Sequence, residues 1–329
     1  MNILLLIAVF GLIFVNGWTD APNAIAGLVA TGGMRYRSAA WMAAVCNLAG
    51  ALLFCLASGR VARTVFQLAD FSRAGSGGIA ALCGCFLAVI LFAGAAWVWG
   101  IPTSESHGLM AGILGGSLAL GRADILSWRD WQPVFAGLFL SVGLGFFCGL
   151  VLQRLLGGGF SHLSGRRLDF WQRAGAAAGA FVHGAQDGQK FAAVLWLALC
   201  LSAPSAAEWS RPPLLVVIAC AAAMGAGTRC GGRRIIQKTA VEMVRIDKVQ
   251  SVLSDLAGAL ALTVLSLLGM PASTTHTKTA SMAGCASATS RSALDWRIAG
   301  QMIFAWLLTF PLCALLSFLL TKLLLRFPI

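Results

Sequence analysis

The sequence predicts an all-α polytopic membrane protein made of two inverted repeats of about five membrane segments each. Three observations carry the prediction. The 329 residues are 58% hydrophobic and only 11% charged, where a soluble domain carries about 25% charged residues. The apolar residues come in blocks of about 20, long enough for spanning helices and unlike the short alternating strands of a β-barrel. Two of those blocks carry an aspartate where the helix is weakened. Asp20 stands beside Pro22, and Asp187 is flanked by Gly184 and Gly188. Such segments in matching places of two halves are the sequence pointer to a transport site, with broken helices or re-entrant segments expected at both.

Spans are predicted at residues 3–30, 38–57, 77–97 and 133–152, with a small-residue segment running to residue 120 before the last. The second half repeats the order at 174–202, 213–228, 249–268, a small-residue segment to 288, and 299–325. Asp20 and Asp187 lie 167 residues apart, and Pro102 and Pro271 lie 169 apart, as do His107 and His276. An odd number of crossings per half turns the second half over. The organisation expected is a first repeat at 1–152, a cytoplasmic linker at 153–173 and an inverted second repeat at 174–329. With the N-terminus outside, fourteen basic residues fall in inside loops and eight outside, the direction the positive-inside rule requires. The net charge of +12 is thereby assigned to lipid headgroups rather than nucleic acid. Trp97, Trp128, Trp171 and Trp296 fall near span ends, as interface anchors do.

Ten cysteines show neither CxxC spacing nor a Cys/His cluster, so no disulfide or metal framework is expected. No basic region precedes the first apolar block and no cleavage site follows it, which reads as a retained span rather than a signal peptide. Gly137, Ser141, Gly145 and Gly149 form a small-residue ridge at four-residue spacing. It reads as a homodimer seam or as packing within one chain.

The polar residues inside these blocks carry the chemistry. Asp20 and Asn23 share a helix face, as do Asp187 and Lys190. A structural reading makes them bundle-holding contacts; their repetition favours a midplane site. Carboxylates beside freed backbone carbonyls suit Na⁺, and a carboxylate able to protonate suits H⁺. After Pro102 and Pro271, the hydroxyls of Ser104 and Ser106, and of Ser273, Thr274 and Thr275, fall in a helix first turn. Free N–H groups and hydroxyls there form an anion site, although capping alone also favours Ser and Thr. His107 and His276 have a structural role as the simpler reading, with proton relay as the alternative.

At these residues the sequence resembles the inorganic phosphate transporter (PiT) family. Gly17–Trp18–Thr19–Asp20–Ala21–Pro22–Asn23–Ala24 and His183–Gly184–Ala185–Gln186–Asp187–Gly188–Gln189–Lys190 are similar to its two Gly-Ala-Asn-Asp signatures. Met270–Pro271–Ala272–Ser273–Thr274–Thr275–His276 is similar to its Pro-Val-Ser-Thr-Thr-His string, and the run Gly231–Ile236 with Gln250 and Asp255 to its later loop and helix. The resemblance implies secondary transport of inorganic phosphate across the cell (inner) membrane by a multi-pass protein, coupled to Na⁺ or H⁺, with no other cofactor. It implies that Asp20, Asp187, Thr19 and Gln186 hold the coupling ion, with Na⁺ a candidate at the aspartates. Asn23, Ser104, Ser106, Gln189, Ser273, Thr274 and Thr275 are then expected to bind the anion. The chain departs from the family pattern at Thr19 and Gln186, at Asp255 in place of Glu, and at Glu105 in place of a neutral hydroxyl. Sulfate is the alternative substrate. Glu105 is read either as a proton-coupling group or as the partner of an arginine such as Arg122. A channel is disfavoured because broken helices in inverted repeats point to alternating access. An enzyme is disfavoured because no nucleophile–base spacing or metal motif appears.

Overall fold

The computed structural model describes residues 3–101, 103–202, 209–230, 236–244, 246–290 and 293–327. Pro102, the run 231–235, Arg245 and Arg291 lie outside them, so the helix start expected at Pro102 and the loop charges at those positions go undescribed.

The chain is helical throughout the described residues, apart from turns and one β-bridge between Ala69 and Leu126. The helices are α1 (Ile3–Thr19), α2 (Ala26–Ala30), α3 (Tyr36–Ala57), α4 (Arg60–Phe66), α5 (Ser76–Val98), α6 (Glu105–Ala119) and α7 (Trp128–Ser161). They continue as α8 (Gly165–Ser202), α9 (Leu214–Cys230), α10 (Lys248–Leu267), α11 (Thr274–Thr289) and α12 (Trp296–Leu324), with a π-helical segment Gln237–Met243 before α10. Among the described residues six stretches are long and apolar enough to cross a membrane: Ile3–Ala30, α3, α5, α7, α10 and α12. Helices α6 and α11 have 15 and 16 residues, roughly 23 Å at 1.5 Å per residue, short of the ~30 Å hydrocarbon core.

Local chemistry fixes the breaks. Helix α1 ends at Thr19, and a 3₁₀ turn, Ala21–Ile25, carries Pro22, whose missing N–H cannot continue the α ladder. Helices α5 and α10 each stop on a left-handed glycine, Gly100 (φ 67°) and Gly269 (φ 73°), a conformation glycine adopts without strain. The chain then extends and restarts as α6 and α11. Ser104 and Ser273 cap these helices, their Oγ atoms accepting from the backbone N–H of His107 (3.2 Å) and His276 (3.1 Å).

The packing is reciprocal. Helix α3 lies on α8 and α9 on α1; α6 lies on α12 and α11 on α7; α5 touches α12 as α10 touches α7. Glycines set the closest approaches. A Cβ on Gly17 would stand 1.9 Å from Met224 O, and one on Gly227 2.0 Å from Phe14 O. A Cβ on Gly184 would stand 2.1 Å from Asn47 O, and one on Gly50 1.8 Å from Phe181 O. The same four-residue lock thus joins α1 to α9 and α8 to α3.

One expectation is corrected here and one pair of alternatives is decided. Helix α8 is continuous through Val182–Lys190, so the second motif is not a broken helix. It has no proline, and Gly184 and Gly188 serve contact with Asn47 and Ala51 of α3 rather than helix weakening. The ridge Gly137–Ser141–Gly145–Gly149 faces the α11 segment of its own chain. Added Cβ atoms at Gly137, Gly145 and Gly149 would meet Pro271 O, Thr277 O and Ser281 O at 2.2–2.6 Å. The ridge is an intrachain seam, not a dimer seam.

Candidate functional site

The break after α1, the middle of α8 and the starts of α6 and α11 converge on one polar cluster between two apolar cores. Asp20, Asp187, Gln186, Lys190, Ser273 and Thr275 are fully buried. Exposing none of these to water has a large cost unless each is paired, and the pairing is extensive.

Asp20 lies just past α1. It accepts from Asn23 Nδ2 (3.0 Å), from Thr274 Oγ1 (2.8 Å) and from the Thr275 hydroxyl. Asp187 projects from α8. Its Oδ2 accepts from Asn16 Nδ2 (3.2 Å) and Thr274 Oγ1 (3.3 Å), and its Oδ1 pairs with Lys190 Nζ at 2.5 Å. Thr274 therefore stands between the two aspartates, its single hydroxyl proton serving one of them at a time. His183, one turn before Asp187, places Nε2 3.2 Å from Asp187 Oδ2 and 3.9 Å from Asp20 Oδ2. Its Nδ1 lies 3.3 Å from Asn47 Oδ1. One ligand atom from each of Asp20, His183 and Asp187 lies within 4.8 Å of the others, a spacing able to hold a cation.

The caps meet beside this group. Ser273 Oγ donates to Ser104 Oγ at 2.8 Å, so the N-termini of α6 and α11 face one another, and the rings of His107 and His276 lie with centroids 4.3 Å apart, tilted by 43°. Two helix N-termini presenting N–H groups and hydroxyls to one spot suit an anion. Ser106 accepts from Lys190 Nζ at 2.5 Å. Glu105 is buried against the hydroxyl of Thr19, not against Arg122, which pairs with Asp124 at 2.8 Å on the surface. Its other oxygen, Oε2, has no hydrogen-bond partner among the described residues.

Of the residues the sequence singles out, two point elsewhere. Gln189 accepts from Val61 N (3.2 Å) and donates to Ala185 O (2.8 Å), tying α8 to α4. Gln186 donates to Met270 O (3.1 Å), bracing the extended segment before α11. The sequence reading gave no role to Asn16, Asn47 or His183. His183 was legible: it is one helical turn before Asp187. A second buried ion pair, Lys278 with Asp255, was not legible, since it joins two helices. A cavity of about 20 Å³, space for one water, runs from Asn23, His183 and Thr274 to that pair. A cleft of about 630 Å³ lies apart from the aspartates, among Phe66, Phe71, Leu197 and Trp209.

Comparison with known proteins gives a consistent result. The sequence model of the "Phosphate transporter family" matches residues 16–160 and 159–317. The chain is 31% identical over 322 residues to a "Probable low-affinity inorganic phosphate transporter" of Bacillus subtilis (strain 168), covering 96% of this chain and 95% of that one. It is 31% identical to a protein so described from Rhizobium meliloti (strain 1021), covering 92% and 90%. Among solved structures it is similar to "The sodium-dependent phosphate transporter", with a TM-score of 0.80 over 99% of both chains at 18% identity.

Proposed function

The chain belongs to the phosphate transporter family, and on that premise we propose that it is a secondary transporter carrying inorganic phosphate across the cytoplasmic membrane, driven by an H⁺ or Na⁺ gradient. The observation that carries the reading is the meeting of two kinds of site in one buried cluster. Asp20, Asp187 and His183 offer cation ligands, and the paired first turns at Ser104 and Ser273 offer anion donors a few ångströms away. Thr274 touches both aspartates and begins α11, so a cation at the carboxylates and an anion at the helix start bear on the same residue. Binding of one then favours the other, which is the requirement for coupling.

The cluster is closed to solvent, so a transport cycle must open it to each side in turn. The reciprocal packing of α1, α3, α5, α6 and α7 with α9, α8, α12, α12 and α10 supports two inverted repeats rocking about the cluster. The short helices α6 and α11 fit re-entrant segments that end at it. The repeats divide near the 153–173 linker, and the N-terminus stands outside.

Glu105 is the proton-coupling candidate. Thr19 Oγ1 has one proton and lies 2.8 Å from Val15 O, which can only accept. When that proton is used there, the contact between Thr19 and Glu105 needs a proton from Glu105. A neutral Glu105 also leaves the neighbouring anion position free of repulsion.

Uptake of labelled phosphate and labelled sulfate into proteoliposomes, with Na⁺ and pH gradients imposed separately, tests the reading. Gradient-driven phosphate accumulation is expected. Accumulation of sulfate alone would transfer the site to sulfate, and flux without accumulation under either gradient would mark a channel.

A further inference from the structure

We propose that Lys190 supplies, as a fixed ammonium, the cation that the Asp187 half of the cluster would otherwise take from solution, so that a single external cation binds, at Asp20. The inference rests on the reading of the cluster as a coupling-ion site.

Asn23 and Lys190 hold corresponding places. Each follows its aspartate by three residues, and they lie 167 residues apart, as the aspartates do. They make corresponding contacts. Asn23 Nδ2 donates to its own aspartate, Asp20, at 3.0 Å and to Thr275 Oγ1, in the first turn of α11, at 3.4 Å. Lys190 Nζ meets its own aspartate, Asp187, at 2.5 Å and donates to Ser106 Oγ, in the first turn of α6, at 2.5 Å. Ser106 and Thr275 are 169 residues apart, the separation of the hydrogen-bonded caps Ser104 and Ser273. One slot thus occurs twice, filled once by a neutral amide and once by a cation.

The two fillings have different consequences. The Lys190 ammonium donates hydrogen bonds to Ser106 Oγ and to Ala272 O at 2.6 Å, and forms an ion pair with Asp187 at 2.5 Å. The side chain is fully buried, and no lone pair remains to ligate a second cation. Its charge neutralises Asp187 and repels any cation approaching that carboxylate. Around Asp20 the groups in hydrogen-bond contact are neutral: Asn23, Thr274 and Thr275. The Nε2 of His183 stands farther off at 3.9 Å. Asn23, whose amide nitrogen donates to Asp20, has its Oδ1 buried with no hydrogen-bond partner among the described residues, the kind of oxygen a monovalent cation takes as a ligand. A fully buried carboxylate with no fixed counter-charge favours recruitment of a cation.

The test is the number of labelled Na⁺ ions bound by purified wild type and by K190N at saturation, measured by equilibrium dialysis with no anion to transport. K190N places at position 190 the side chain found at position 23. It is expected to bind one more Na⁺ than the wild type. Equal counts would overturn the proposal, and so would equal counts with a many-fold change in phosphate half-saturation, since that would make Lys190 an anion ligand. Should K190N fail to fold, the wild type decides: one bound Na⁺ ion sustains the proposal, and two or none overturn it. A wild type that moves no phosphate, with the extra Na⁺ site of K190N intact, would refute the phosphate reading while leaving this one standing.

Discussion

Replacing Gly184 by alanine puts one methyl group into the tightest seam beside the cluster. The added Cβ would stand 2.1 Å from the carbonyl oxygen of Asn47, against 3.4 Å for the near edge of ordinary contact. The α3–α8 seam must therefore open by about 1.3 Å, the difference of those two distances, because the obstacle is backbone and cannot turn aside. Overpacking of this kind costs about 1–3 kcal/mol. Gly184 is also three residues from Asp187, so the opening displaces that carboxylate from Thr274 and Asn16. A 1 Å misplacement in a preorganised site costs on the order of 100-fold, and transport should fall by about that factor. The same substitution at Gly143, in the middle of α7 with nothing within 4 Å of its Cβ, should be neutral or stabilising by up to ~1 kcal/mol from helix propensity. Thermal unfolding of both variants in one detergent, read beside phosphate uptake, checks the contrast. If G184A melts and transports like G143A, the glycine is not there for close approach and the seam argument fails.

Other perturbations follow from the same contacts. Ser104→Ala and Ser273→Ala each remove a hydroxyl that caps a helix and faces the anion position; a bond to a charged group is worth about 1.5–3 kcal/mol, so phosphate half-saturation should rise about ten- to a hundred-fold, and an unchanged value in both would leave only capping. Glu105→Gln should lose acid stimulation of uptake while still exchanging phosphate for phosphate; identical pH profiles in mutant and wild type would remove Glu105 as the proton carrier. Lys278→Leu strands Asp255, which is 1% exposed, and should cost about 3–5 kcal/mol. Asp255→Leu combined with Lys278→Leu should recover most of that loss, and a double variant as unstable as the single one would show that packing, not charge, is at stake.

The sequence revealed whatever is signalled by a polar residue in an apolar block or by proline. Both aspartates, the break at Pro22, and the serine caps of α6 and α11 are of that kind, and the structure brings Asp20, Asp187, Asn23, Thr274 and Thr275 into direct contact. It did not reveal what a small residue faces. Gly184 and Gly188 read as helix weakening because Asn47 and Ala51, their reason for being small, lie in another helix more than 130 residues earlier. The ridge on α7 was legible as a ridge, but its partner, α11, was not. Pairings across helices were equally hidden. Glu105 meets Thr19 rather than an arginine, and Lys278 meets Asp255, because spacing along one helix says nothing about the neighbour opposite. The amide signature positions Gln186 and Gln189 show the converse: motif membership suggested ligands, and the folded chain uses both side chains to hold backbone.

Gradient-driven accumulation of labelled phosphate by Asp20→Asn and Asp187→Asn proteoliposomes, read beside phosphate–phosphate exchange at equal ion concentrations, bears most directly on the cluster as the place where cation and anion meet. Both variants keep the shape of the side chain and remove its charge. Accumulation should be lost in each, with folded protein inserted at wild-type levels. Wild-type accumulation by either variant under the same gradient would take that aspartate out of the coupling site and contradict the mechanism built on it.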